Sequence, residues 1–203
     1  MVAASATLDL VASTLGEGHP AQAPAARAVV PTPAPAEARR DAYVALPGKS
    51  QSDIVPGSPA IPRAHPDWLA ASLANTVLGV FAMMGRLGKN VRDDRGLAYY
   101  AYSALHGGFG PGPWTAAAGV NPANVAEAID AILDEMRRLC DEPVPADELD
   151  DVKAFVTGSL PLSLEANEGV AGALLDIAVH DLGLDYLERF AHRVGRGINR
   201  FSM

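Results

Sequence analysis

Between Phe81 and His106 the hydrophobic period of the chain changes from helical to strand-like. Met83, Met84, Leu87 and Val91 fall at helical spacings and predict one apolar face. Gly96 follows the last charged turn, a position where glycine commonly stops a helix. Leu97, Tyr99, Ala101, Ser103 and Leu105 then alternate with Ala98, Tyr100, Tyr102 and Ala104. That period of two, rich in tyrosine, predicts a strand with Tyr99 on the face of Leu97 and Ala101 and Tyr100 on the other. The corner places Arg92 one turn before the stop and Tyr99 just after it, so a guanidinium and a phenol can meet at one sheet edge.

The flanking patterns extend this unit. Residues 4–16 predict a short amphipathic helix with Leu8, Val11 and Leu15 on one face and Gly16 at its stop. Residues 18–40, rich in Pro and Ala, predict an extended linker. A first strand is expected over 41–47 and a second over 51–61, the latter broken by Pro56, Gly57 and Pro59 and so an edge or a bulge. Pro66 opens a helix through Leu78 with Trp68, Leu69, Leu73 and Val77 inward. His106–Pro113 is a glycine-proline turn, and Trp114–Gly119 returns as the second arm of a hairpin. Asn121-Pro122 caps a helix carrying Val125, Ile129, Ile132, Met136 and Leu139. Three more helices are expected, from Pro145 to just before Pro161, from Ser163 to Leu182, and from Asp185 to Val194. Two hairpin-like strand pairs beside several helices make an α+β, two-layer sandwich, a mostly antiparallel sheet covered by helices.

Composition narrows the function classes. The chain has 203 residues, 49% of them hydrophobic, enough for one ordinary core. A net charge of −8 argues against a nucleic-acid surface. With one cysteine, Cys140, there is no intrachain disulfide and no thiolate zinc cluster; its helical surroundings predict a buried, inert thiol. No apolar run of spanning length occurs, and the first residues lack the basic and apolar regions of a signal peptide. The expected address is cytoplasmic, with no membrane partner.

Several tempting motifs fail on chemistry. Catalytic zinc needs three protein ligands at fixed spacing, yet none of His19, His65, His106, His180 and His192 has a second histidine four residues away, and neither HxxEH nor HExxH occurs. His65 is expected to help start its helix and His180 to lie at a helix surface. Gly48-Lys49-Ser50 has Tyr43 where a phosphate loop needs glycine, and it leads into a strand, so it reads as a hairpin turn. The glycines at 107, 108, 110 and 112 also fit a turn. Glu127, Asp130, Asp134, Glu135 and Asp147, Glu148, Asp150, Asp151 read as solvated helix faces or first-turn acids.

Arg92 and Tyr99 are, on residue grounds alone, better explained by a helix end and a strand preference. Their spacing, with Gly96-Leu97-Ala98-Tyr99, nevertheless resembles the arginine–tyrosine element of the pitrilysin/insulinase family of zinc metallopeptidases. LPGKSQSDIVPGSPAI (46–61), HPDWLAASLANTVLG (65–79) and VPADELDDVKAFVTGSLPLSLE (144–165) extend that resemblance in order over residues 41–194. It is to the zinc-free domain of the two that enclose the catalytic chamber, with a fold like the domains of pitrilysin and mitochondrial processing peptidase.

The resemblance implies that Arg92 and Tyr99 grip substrate near the scissile bond, with Arg95 and Tyr100 the nearest competitors. It implies a partner domain or chain bearing HxxEH and the zinc, a peptide substrate, and no metal, cofactor or activity in this chain alone. It also implies a division into an N-terminal helix and linker (1–40), the domain proper (41–194) and an atypical tail (195–203), truncated at both ends. The other role known for the fold is a structural scaffold subunit, as in respiratory complexes.

Overall fold

Pro113–Val120 (β4) is the strand on which the whole sheet depends in the computed structural model, which describes residues 4–16, 29–34, 36–80 and 85–195. Ala98–Leu105 (β3) runs antiparallel along one edge of β4, from Ala98 opposite Val120 to Leu105 opposite Trp114. Ser52–Ile54 (β1) and Gly57–Pro59 (β2) lie end to end along its other edge. The break between them is where Pro56 and Gly57 were expected to interrupt a single strand, and Ala116 N–H still donates to the Pro56 carbonyl at 2.9 Å. The α+β sandwich follows as expected, an antiparallel sheet with helices on one face.

The expected strand over 41–47 is absent. Tyr43, Val44 and Leu46 are exposed, and among the described residues no strand pairs with this stretch. Strand preference alone does not make a strand without a partner edge and a face to bury.

Alternation builds the core layer. Ala116, Ala118 and Val120 of β4 and Ala101 and Ser103 of β3 face the helices, and all are buried. Trp68–Asn75 (α2) continues as a π turn, Thr76–Val80, and buries Leu69, Leu73, Val77 and Leu78 on that layer. The helix starts two residues after Pro66, and His65 Nδ1 accepts the Asp67 N–H at 3.1 Å, the starting role expected of it. A π-helical segment, Gly88–Asp94, follows; Leu87 and Val91 are fully buried, while Met83 and Met84 lie outside the described residues. Each such large side chain contributes roughly 1.5–3 kcal/mol of burial.

Asn121 Oδ1 accepts the Ala123 N–H at 2.9 Å and caps a 3₁₀ turn, Pro122–Asn124, that leads into Val125–Asp141 (α3). Two expectations fail on α3. Cys140 is exposed, because it follows Leu139 of the buried stripe by one residue and so rotates about 100° out of it. Glu135 is buried, at 2% exposure, within that stripe beside Ala128, Ala131 and Ile132.

Ala146–Ser163 (α4) runs through Pro161 instead of ending before it. A proline in the last turn removes only one hydrogen bond, and Leu164 N–H closes on the Leu160 and Pro161 carbonyls. Asn167–Val179 (α5) and Tyr186–Gly195 (α6) complete the chain, joined across Asp181 and Gly183, both at positive φ. His180 caps α5 partly buried, its ring 5.3 Å from that of Phe109, and so is not the surface residue expected. The N-terminal helix, Ala4–Leu15 (α1), is present, and its residues 5–15 are exposed. The linker and the C-terminal tail fall largely outside the described residues. Among the described residues no helix is long and apolar enough to cross a membrane.

Candidate functional site

The corner between the π-helical segment and β3 is built by its hydrogen bonds. Gly96 takes φ +63°, a conformation open to glycine and costly for most other residues. Gly96 N–H donates to the Arg92 carbonyl at 3.1 Å and Leu97 N–H to the Val91 carbonyl at 3.0 Å, so the chain reverses at once into the strand. Leu97 and Ala98 then enter the core.

A β-bulge follows. Ala98 pairs with Val120 and Tyr100 with Gly119, so two residues of β3 span one step of β4 and Tyr99 is the extra one. Strict alternation would put Tyr99 on the buried face of Leu97 and Ala101; the bulge instead turns it out, to 84% exposure. Its hydroxyl has no hydrogen-bond partner among the described residues. Arg92, across the turn, is partly exposed; its Nε donates to Asp93 Oδ1 at 2.8 Å. That hydrogen bond raises the Arg92 pKa and lowers that of Asp93. The two terminal nitrogens of Arg92 make no hydrogen bond among the described residues, and no hydrogen bond joins Arg92 to Tyr99.

Their competitors are engaged elsewhere. Arg95 Nε donates to Asn90 Oδ1 at 2.8 Å. Asn90 Nδ2 donates in turn to Glu135 Oε1 at 2.5 Å, and Arg138 Nη1 reaches the same carboxylate at 3.0 and 3.2 Å. These donors are what allow a buried carboxylate in α3, and they anchor the segment that carries Arg92. Tyr100 donates to Asp53 Oδ1 at 2.7 Å, a bond that pushes its phenol up to about 12 and holds Asp53 below its ordinary range. Asp53 and Tyr100 both pair with Gly119, from opposite sides. A Cβ at Gly119 would lie 2.5 Å from Tyr100 Cε1, so glycine there is what lets the tyrosine cross β4 to reach Asp53.

Other polar groups serve as joints. Glu148 is a first-turn acid of α4, as expected, and there it forms a two-pronged pair with Arg86 at 2.9 and 2.7 Å. A cavity of about 180 Å³ between α2 and α6 is lined by Arg63, His65, Trp68, Tyr186, Arg189 and Arg193. Its cations are committed: Arg63 to Asp176 at 2.6 Å and Tyr186 at 3.0 Å, Arg189 to Asp185, Arg193 to the Pro66 carbonyl. A zinc ion does not fit these residues, for among the described ones no three His, Cys, Asp or Glu side chains lie together to hold a metal.

Sequence reasoning missed Asn90, Glu135, Gln51, Asp53 and Gly119. Asp53 and Gln51 carried a signal, two polar residues at a spacing of two beside the buried Ile54.

Comparison with known proteins agrees with this fold. The chain is 31% identical over 144 residues to an uncharacterized zinc protease of Streptomyces coelicolor, covering 70% of this chain and 31% of that protein. A crystal structure of a peptidase M16 inactive domain from Pseudomonas fluorescens superposes with a TM-score of 0.69 at 28% identity, over 73% of this chain and 35% of that one. A protease from Helicobacter pylori shares the fold at a TM-score of 0.81 and 20% identity, over 95% of this chain and 46% of that one. The chain thus spans about a third of the length of the curated relative. Residues 2–156 match the family described as the Peptidase M16 inactive domain, and the chain belongs to that family, the zinc-free domain type of the pitrilysin/insulinase metallopeptidases.

Proposed function

We propose that this chain is the substrate-gripping, non-catalytic domain of a zinc metallopeptidase and completes the active site of a zinc-bearing partner domain or chain. The observation that carries the reading is the bulge at Tyr99, which turns out a phenol with no hydrogen-bond partner among the described residues, just past the corner that Arg92 precedes. Bulges often re-aim a side chain beside an active site. Arg92, oriented by Asp93 through Nε, keeps its terminal nitrogens for a peptide carbonyl. The two donors would hold that carbonyl and stabilise negative charge developing on its oxygen. The substrate is a peptide, and alone the chain binds no zinc and cleaves nothing. A single cysteine suits the cytoplasmic setting expected.

The scaffold reading draws on the Arg92–Asp93 bond, which also serves a purely structural corner. Reconstitution separates the two. Adding the chain to a separately produced HxxEH-bearing half should raise peptidase activity above that of the half alone. Stable association without any gain in activity would sink the gripping role and leave the scaffold.

A further inference from the structure

The sheet face opposite the helices carries a second feature. Asp53 accepts both of its hydrogen bonds on one oxygen: Tyr100 Oη at 2.7 Å and Gln51 Nε2 at 2.8 Å both reach Oδ1. Oδ2 has no hydrogen bond or ion pair among the described residues. Lys49 adds a weaker attraction to Asp53 without forming an ion pair with it. Beside the carboxylate, the rings of Tyr100 and Tyr102 stand 5.8 Å apart at an interplanar angle of 30°, and Tyr102 is exposed. A fixed, ionised carboxylate with one open oxygen, next to two phenol faces, has the chemistry of a cation receptor.

We infer that Asp53, Tyr100 and Tyr102 form a subsite for a lysine or arginine side chain of a bound peptide. The cationic head pairs with Asp53 Oδ2, and the aliphatic stem lies along the tyrosine rings. Gln51 and the Tyr100 hydroxyl hold the carboxylate in place, so little freedom is lost when the cation arrives. This rests on the gripping reading and adds to it a preference for basic substrates.

The test is a nuclear magnetic resonance titration of the full chain with three extended ten-residue peptides. They differ only in a central lysine, norleucine or glutamate. The lysine peptide should shift the Asp53 and Gly119 amides and bind about tenfold more tightly than the norleucine peptide. Asp53→Asn should erase that difference; an undiminished lysine preference in this variant would overturn the subsite. Equal shifts at Gly96 and Tyr99 with all three peptides, and none at Gly119, would overturn the subsite and leave the gripping corner standing. Lysine-dependent shifts at Gly119 with a silent corner would uphold the subsite and overturn the gripping role. Silence at both places up to millimolar peptide would overturn both.

Discussion

Tyr99 and Ala101 are two residues apart in β3, yet Ala101 is 6% exposed and Tyr99 84%. The one-residue bulge separates their surroundings, and it decides which phenol is offered to solvent and which is bonded within the sheet.

The division makes Tyr99 dispensable for folding. Tyr99→Phe and Arg92→Ala should each leave stability within about 0.5 kcal/mol of the parent in urea denaturation. In a reconstituted enzyme the same changes should lower kcat and kcat/KM together, by about tenfold to a thousandfold. Parental turnover in both variants would make the pair structural.

Tyr100 should titrate unlike an ordinary tyrosine. Its folded value, about 12, lies above the ordinary tyrosine value of 10.0, so its bond to Asp53 stabilises the fold fully below pH 10. That contribution is lost as pH rises through 12. Asp53 has the opposite sign: its lowered value makes the contribution present above its ordinary 3.8 and lost as pH falls through the folded value. Tyrosinate absorbance should show one late phenol in the parent that disappears in Tyr100→Phe and moves to lower pH in Asp53→Asn. An unchanged titration in both variants would refute the bond.

Gly119→Ala should act on the same pair from below. The added methyl would meet Tyr100 Cε1 and Gln51 Nε2 at 2.5 Å, and one of them must move. The expected cost is about 1–3 kcal/mol, with the late tyrosinate phase shifted to lower pH. A variant as stable as the parent, with the phase unmoved, would show that the face is loosely packed.

Glu135 depends on Asn90 and Arg138 for its burial. Asn90→Ala should cost about 1–3 kcal/mol, because it leaves a buried carboxylate short of a donor. Asn90→Asp should be worse, since it sets a second negative charge against the first. Chemical denaturation of the two variants checks the order.

Arg63→Ala should loosen α5 and α6 before the sheet. Arg63 lies 5.3 Å from the Trp68 ring centre and 5.1 Å from that of Tyr186, and it bonds Asp176. A loss of about 1.5–3 kcal/mol is expected, and amide exchange should accelerate first in α5 and α6. Uniform acceleration across β4 would show instead that the helices unfold only with the whole domain.

Much of the architecture was legible because its periods were unbroken. Val125, Ile129, Ile132, Met136 and Leu139 mark one side of α3, and the glycine-proline run 106–113 marks the hairpin turn. What escaped prediction depends on neighbours distant in sequence. Whether 41–47 becomes a strand depends on an edge to join, and Glu135 could be recognised as buried only with Asn90 and Arg138 beside it. The bulge is the instructive failure. A period of two is a rule about paired residues, and Tyr99 is the one residue of β3 that alternation counts and the ladder does not.

The position of β4 has a consequence for synthesis. β1 and β2 are made roughly sixty residues before the strand they both need. On the ribosome they wait as open edges, while β3 emerges only a short turn ahead of β4. The hairpin is therefore the natural first assembly, and the earlier strands are recruited to it afterwards. A pause in translation between residues 60 and 113 would prolong the interval in which this nascent chain can pair with its neighbours on the same message.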